Sequence, residues 1–125
     1  MNALDHVRAY RSVQVTCTAP ANLVVMLYDG ALRFTREAAA AMQRGDACKR
    51  RERIGRAHAI LELLSTTLDP KHEPLLAERL TALYAFCMNR LVDAGVRDDR
   101  AALDDVVRVL TPLRDAWEQA ARQGS

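Results

Sequence analysis

Residues 20–45 read PANLVVMLYDGALRFTREAAAAMQRG. Pro20 suits the first turn of a helix, where its missing N–H costs no hydrogen bond. Leu23, Leu27, Ala31, Phe34, Ala38 and Ala41 then recur at helical spacing and make one apolar face. Gly45 ends the run, and Asp46 can cap whatever helix follows. This helix carries more apolar surface than one face holds. Residues 23–28, Leu-Val-Val-Met-Leu-Tyr, are apolar on every side, because six helical residues turn through about 500°. Residues 83–88, Leu-Tyr-Ala-Phe-Cys-Met, repeat the pattern. A helix in a small bundle needs a single apolar stripe. The surplus asks for a cover: another piece of this chain, a second copy or a partner segment.

Downstream, Ile54, Ala57, Leu61, Leu64 and Leu68 mark a second helix, with Ile60 and Leu63 widening its face. Residues 69–72 make a turn, and Pro74 opens a third helix striped by Leu76, Leu80, Leu83, Cys87 and Leu91. Gly95 is expected to close it. A fourth helix begins at Asp98, Asp99 or Arg100 and carries Leu103, Val106, Val107, Leu110, Leu113 and Trp117. Pro112 is expected to kink it or loosen its hydrogen bonding. Short connections favour antiparallel neighbours. The pattern predicts an all-α fold, an antiparallel up-down-up-down four-helix bundle over residues 19–123. Upstream, Val13, Val15 and Cys17 alternate with Ser12, Gln14, Thr16 and Thr18, which is extended patterning. With no second strand in view, residues 1–18 read as an N-terminal arm lying against the bundle.

Composition narrows the function. The 125 residues suffice for one domain with a modest core. A net charge of +2 is too small by itself to imply nucleic acid. There is no apolar run of membrane-spanning length and no basic n-region of a secretory signal. Cys17, Cys48 and Cys87 are odd in number and fit neither a disulfide framework nor a zinc pattern, so a reducing cytosol is the expected compartment. His6, His58 and His72 have no His or Cys partner at helical spacing, and no nucleophile–base arrangement is readable. No metal, cofactor or catalytic residue is predicted, and the chain reads as a binding protein rather than an enzyme.

Two local features stay open. Gly30 lies mid-helix, where glycine costs about 1 kcal/mol against alanine. It reads as a site of close helix approach or as a tolerated weak spot, and Gly55 invites the same choice. The basic run Lys49-Arg50-Arg51, with Arg53 and Arg56, is either a solvated helix face or a phosphate-binding patch. A regulatory nucleic-acid-binding bundle using the Lys49–Arg56 face is therefore one alternative function. A structural homodimer sealed through the apolar runs is another.

The block Ala19-Pro20, Leu23 and Met26-Leu27-Tyr28-Asp29-Gly30-Ala31, with Phe34 and Ala38 behind it, resembles the FliS family of bacterial flagellar secretion chaperones. Tyr10 and the Val13-x-Val15-x-Thr alternation look like that family's N-terminal segment. Gly45-Asp46, Leu68-Asp69, Leu83-Tyr84, Arg90-Leu91 and Leu113-Arg114-x-x-Trp117 follow in order, so the resemblance runs from about Tyr10 to Trp117. Gly95 stands where the family more often has Asn, and the Arg-rich start of helix two and the cysteines are not family features.

The resemblance implies a four-helix bundle in the bacterial cytosol. It implies binding to the disordered C-terminal segment of flagellin, which would otherwise polymerise too early, and transient delivery to the flagellar type III export gate at the membrane. It also implies an N-terminal arm that acts as a removable cap. On this reading Leu23, Leu27, Tyr28, Tyr84 and Met88 are the flagellin-groove candidates. Tyr10, Val13 and Val15 are the cap residues, and Gly30 permits close helix approach. The mechanism expected is coupled folding and binding of a client segment with apolar residues at i, i+3 and i+4.

Overall fold

The computed structural model describes residues 16–123. Four helices follow one another: α1 (Ala21–Arg44), α2 (Ala47–Thr66), α3 (Pro74–Arg97) and α4 (Arg100–Gln123). α1 packs on α2 and α4, and α3 packs on the same two, so α1 and α3 stand diagonally opposed. The connections are residues 45–46, 67–73 and 98–99, too short for anything but antiparallel neighbours. This is the all-α four-helix bundle expected from the spacing.

The helix ends follow from a few side chains. Gly45 takes the left-handed conformation, with φ 76°. Its N–H and that of Asp46 donate to the carbonyls of Met42 and Ala41, which closes α1. Asp46 then accepts from the Lys49 N–H at 3.1 Å and starts α2. Asp99 does the same for α4, accepting from the Ala102 N–H at 3.3 Å. Pro20 and Pro74 sit at the starts of α1 and α3, as predicted.

One expectation is corrected. Gly95 does not close α3. The helix continues to Arg97, and Asp98 takes the left-handed turn with φ 56°. The reason lies on another helix: the Arg50 guanidinium, mostly buried, binds the Asp98 carboxylate at 2.6 Å. Pro112 lies inside α4, which runs through it with one hydrogen bond fewer, the loosening expected of a proline. Pro112 and Arg108, whose carbonyl loses its i+4 donor there, are both exposed, so water can take that bond.

The core is filled by Val24, Tyr28, Leu61, Leu64, Tyr84, Leu91, Leu103, Val106, Leu110 and Trp117, each with almost no accessible surface. Around it, each neighbouring pair of helices is tied by one arginine. Arg53 binds Glu37 between α1 and α2 at 2.8 Å. Arg50 binds Asp98 between α2 and the end of α3. Arg90 binds Asp105 between α3 and α4 at 3.0 Å. Arg114 binds Asp29 between α4 and α1 at 2.7 Å. Exposed pairs of this kind add at most about 1 kcal/mol each. Their larger effect is to fix which helix faces meet.

The arm predicted over residues 1–18 falls mostly outside the described residues, including Tyr10, Val13 and Val15. Its last residues are described. Cys17 forms an isolated antiparallel bridge with Leu68. The Thr18 N–H donates to the Thr67 carbonyl at 2.7 Å, and the Asp69 N–H donates to the Thr16 carbonyl at 2.6 Å. The α2–α3 connection thus supplies a backbone partner at Cys17, while Thr16 is helical and departs from the extended run that the alternation predicted.

Candidate functional site

The five groove candidates do not share one open surface. Tyr28 and Tyr84 are both buried, and their hydroxyls hydrogen-bond to each other through the middle of the bundle. Their ring centroids are 6.1 Å apart, with the planes tilted by 58°. Burial holds both phenols neutral: it drives the Tyr28 hydroxyl far above the ordinary tyrosine range and pushes Tyr84 up to about 12. Leu27 on α1 and Met88 on α3 are half-buried and packed against the core. Leu23 alone of the five is exposed, at 45%. Since α1 and α3 are diagonal, the tyrosines meet in the interior, while Leu23 and Leu27, four residues apart on one face of α1, are on a different helix from Met88.

Exposed apolar surface is concentrated elsewhere. α3 buries Leu80, Tyr84, Cys87 and Leu91 on one face and presents Leu75, Leu83, Phe86, Val92 and Val96 to solvent. The all-round apolar run over residues 83–88 signalled this double-sided helix without saying which residues face out. Beside α3, where its first half meets the end of α2, lies a groove of about 580 Å³. Leu68, Pro70, Pro74, Ala77, Ala82 and Ala85 line it. Alanines at 82 and 85 keep the helix surface low, which leaves room for a side chain from outside. Leu68 is also the bridge partner of Cys17, so the N-terminal segment ends on the rim of this groove. A second hollow of about 350 Å³ lies between α1 and α4, over Ala39, Ala40, Leu103 and Val107, with Arg36 and Arg100 at its sides.

Gly30 faces α2. A Cβ placed there would stand 3.0 Å from Ile60 Cδ1, so a side chain rather than a backbone comes near. Gly55 has nothing within 4 Å of such a Cβ and lies open. The basic run is partly neutralised: Arg50 binds Asp98, Arg53 binds Glu37 and Glu52, and Arg56 binds Glu52. His58 bonds Glu62 along its own helix at 2.7 Å. Among the described residues no cluster of His, Cys, Asp or Glu could hold a metal ion. Cys87 is buried, and burial, reinforced by Asp105, pushes its thiol up to about 12, which leaves it unreactive near neutrality. No described helix is long and apolar enough to cross a membrane.

Comparison with known proteins gives the family. The family model for flagellar protein FliS matches residues 3–124. The flagellar secretion chaperone FliS of Bacillus subtilis (strain 168) is 36% identical over 112 residues, covering 90% of this chain and 83% of the relative. The chaperone of the same name from Vibrio cholerae is 32% identical, covering 90% and 85%. That from Salmonella typhimurium is 29% identical, covering 100% and 96%. A crystal structure of a bacterial flagellar chaperone superposes with a TM-score of 0.76 at 20% identity, over 84% of this chain and 85% of that one, a likeness of fold.

Proposed function

Because this chain belongs to the FliS family of flagellar secretion chaperones, a non-enzymatic family, we propose that it holds the disordered C-terminal segment of flagellin in the bacterial cytosol. Holding that segment stops flagellin polymerising before export, and the complex is then handed to the flagellar export gate at the membrane. The observation that carries this reading is the outer face of α3. A helix whose core stripe is already filled still shows Leu75, Leu83, Phe86, Val92 and Val96 to water, beside an apolar groove. Large apolar residues gathered in the open on one helix mark an interaction site. A client helix with apolar residues at i, i+3 and i+4 can lay them on it.

The client orders as it binds. That ordering costs about 2–5 kcal/mol, which burial of a long apolar face offsets. Residues 1–18 act as a separate arm that covers the rim of the groove until the client displaces it. Neither nucleotide nor metal enters this scheme. The test is to mix the protein with a peptide of the flagellin C-terminal segment. One-to-one binding by calorimetry, with a circular dichroism spectrum more helical than the sum of the parts, is the expected result. Spectra that simply add, without heat, reject it.

A further inference from the structure

The arginines of α1 and α2 gather on a side of the bundle away from the α3 face. Three guanidiniums surround the half-exposed Phe34 ring: Arg33 Cζ at 4.8 Å from its centroid, Arg56 at 5.6 Å and Arg53 at 6.0 Å. Two carboxylates answer them, since Glu37 and Glu52 pair with Arg53 and Glu52 also holds Arg56. Arg33 makes no ion pair among the described residues. A guanidinium lying on a ring keeps its N–H edge pointed outward, fixed for a bidentate carboxylate. Like charges gathered on one ring repel each other, and an added anion relieves that repulsion.

The apolar neighbour is set by register. Gly30 lies against Ile60 and Glu37 pairs with Arg53, so the antiparallel seam carries Leu27 opposite Leu63. Met26 and Leu63, 67% and 49% exposed, therefore stand on the same seam, about 10 Å along the helices from the Phe34 cluster.

We propose that this outer seam of α1 and α2 is a docking site for an acidic polypeptide segment. Its carboxylates are taken by Arg33 and Arg56 over Phe34, and its apolar residues rest on Met26 and Leu63. Charge complementarity selects the occupant. Glu37 and Glu52 stand among the cations and repel a continuous phosphate backbone, whereas a peptide can place one or two carboxylates between them. The site is on a different side of the bundle from the α3 face and does not depend on the flagellin reading.

The test uses the full chain and a labelled helical peptide with two leucines at one end and two glutamates about seven residues further on. The glutamate peptide is expected to bind about tenfold tighter than its glutamine isostere. Arg33→Glu is expected to abolish that preference and to favour the lysine version of the peptide instead. Its melting temperature should shift only slightly, because the Arg33 side chain is exposed, makes no ion pair among the described residues and loses only its contact with the Phe34 ring. Arg56→Gln is expected to weaken the glutamate peptide in the same direction. Equal binding of the glutamate and glutamine peptides overturns the proposal. So does an oligothymidylate that binds the seam more tightly than the glutamate peptide, which would make it a nucleic-acid surface.

Discussion

The Tyr28 and Tyr84 hydroxyls share one hydrogen bond across the bundle, joining α1 and α3, the diagonally opposed helices. Each hydroxyl is the other's partner in a place water does not reach. Tyr28→Phe strands the Tyr84 hydroxyl, whereas Tyr84→Phe leaves that of Tyr28 with the Trp117 indole as its remaining partner. Either single change is expected to cost about 1–3 kcal/mol, and the double variant less than the sum of the two. Urea unfolding of all four proteins closes the cycle. Simple additivity would show that the two hydroxyls are not energetically coupled.

The same burial makes stability sensitive to alkali. Folding holds the protons of Tyr28, Tyr84 and Cys87 beyond the pH at which the unfolded chain releases them. Above an ordinary thiol value of 9.0 the unfolded state therefore binds fewer protons than the folded state, and stability falls as pH rises. The contribution is fully present below about pH 9 and is lost as pH climbs toward about 12. Urea midpoints should stay flat up to pH 9 and then decline. Cys87→Ala should lessen the first part of that decline.

Asp98 carries two burdens, a left-handed backbone and the Arg50 guanidinium, which is only 11% exposed. Asp98→Ala keeps the backbone strain and removes the partner, for an expected loss of about 1 kcal/mol. Asp98→Gly also removes the partner but relieves the backbone, so it should melt higher than Asp98→Ala. An equal melting temperature for the two would mean the φ of 56° is not strained.

Phe86 stands on the outer face of α3, 44% exposed. Phe86→Glu should leave thermal stability within about 0.5 kcal/mol of the parent, as surface changes do. Affinity for the flagellin C-terminal peptide should drop about tenfold or more, because a carboxylate would be desolvated under the client. Calorimetry decides. Unchanged affinity would place the client on another face.

Removing residues 1–17 deletes the Thr16 carbonyl that accepts from Asp69 and the Cys17 bridge to Leu68. If that segment covers the client's site, the truncated protein should bind the peptide more tightly, about tenfold for a cover worth 1.4 kcal/mol. It should also self-associate more readily. Weaker binding with the fold intact would identify the segment as a clamp on the client.

The four helices were legible because Leu, Ala and Val recur at helical spacing and because Pro20, Gly45, Asp46 and Pro74 act locally. Gly95 misled for the opposite reason. The true end of α3 is set by Arg50, 48 residues away from Asp98, and a long-range ion pair leaves no local pattern. In the runs 23–28 and 83–88 every position is apolar, so periodicity carries no orientation there. Tyr28 and Tyr84 turned inward while Met26 and Phe86 turned out, and only the packing of four helices decides that. The pairing of residues 16–18 with 67–69 was invisible because its second strand is a loop with no alternation of its own.

That pairing has an energetic consequence. Two backbone hydrogen bonds, each worth about 0.5–1.5 kcal/mol net, hold the entry of α1 to the exit of α2. Releasing them breaks no hydrogen bond within the four helices, but it exposes the buried Thr16 and lifts Cys17 and Leu68 from the core they pack against, so the opening costs more than two hydrogen bonds and still less than global unfolding. The α2–α3 connection can therefore exchange between a pinned and a released form while the bundle stays whole. Leu68 and the groove beneath it open on the thermal fluctuations of a few residues.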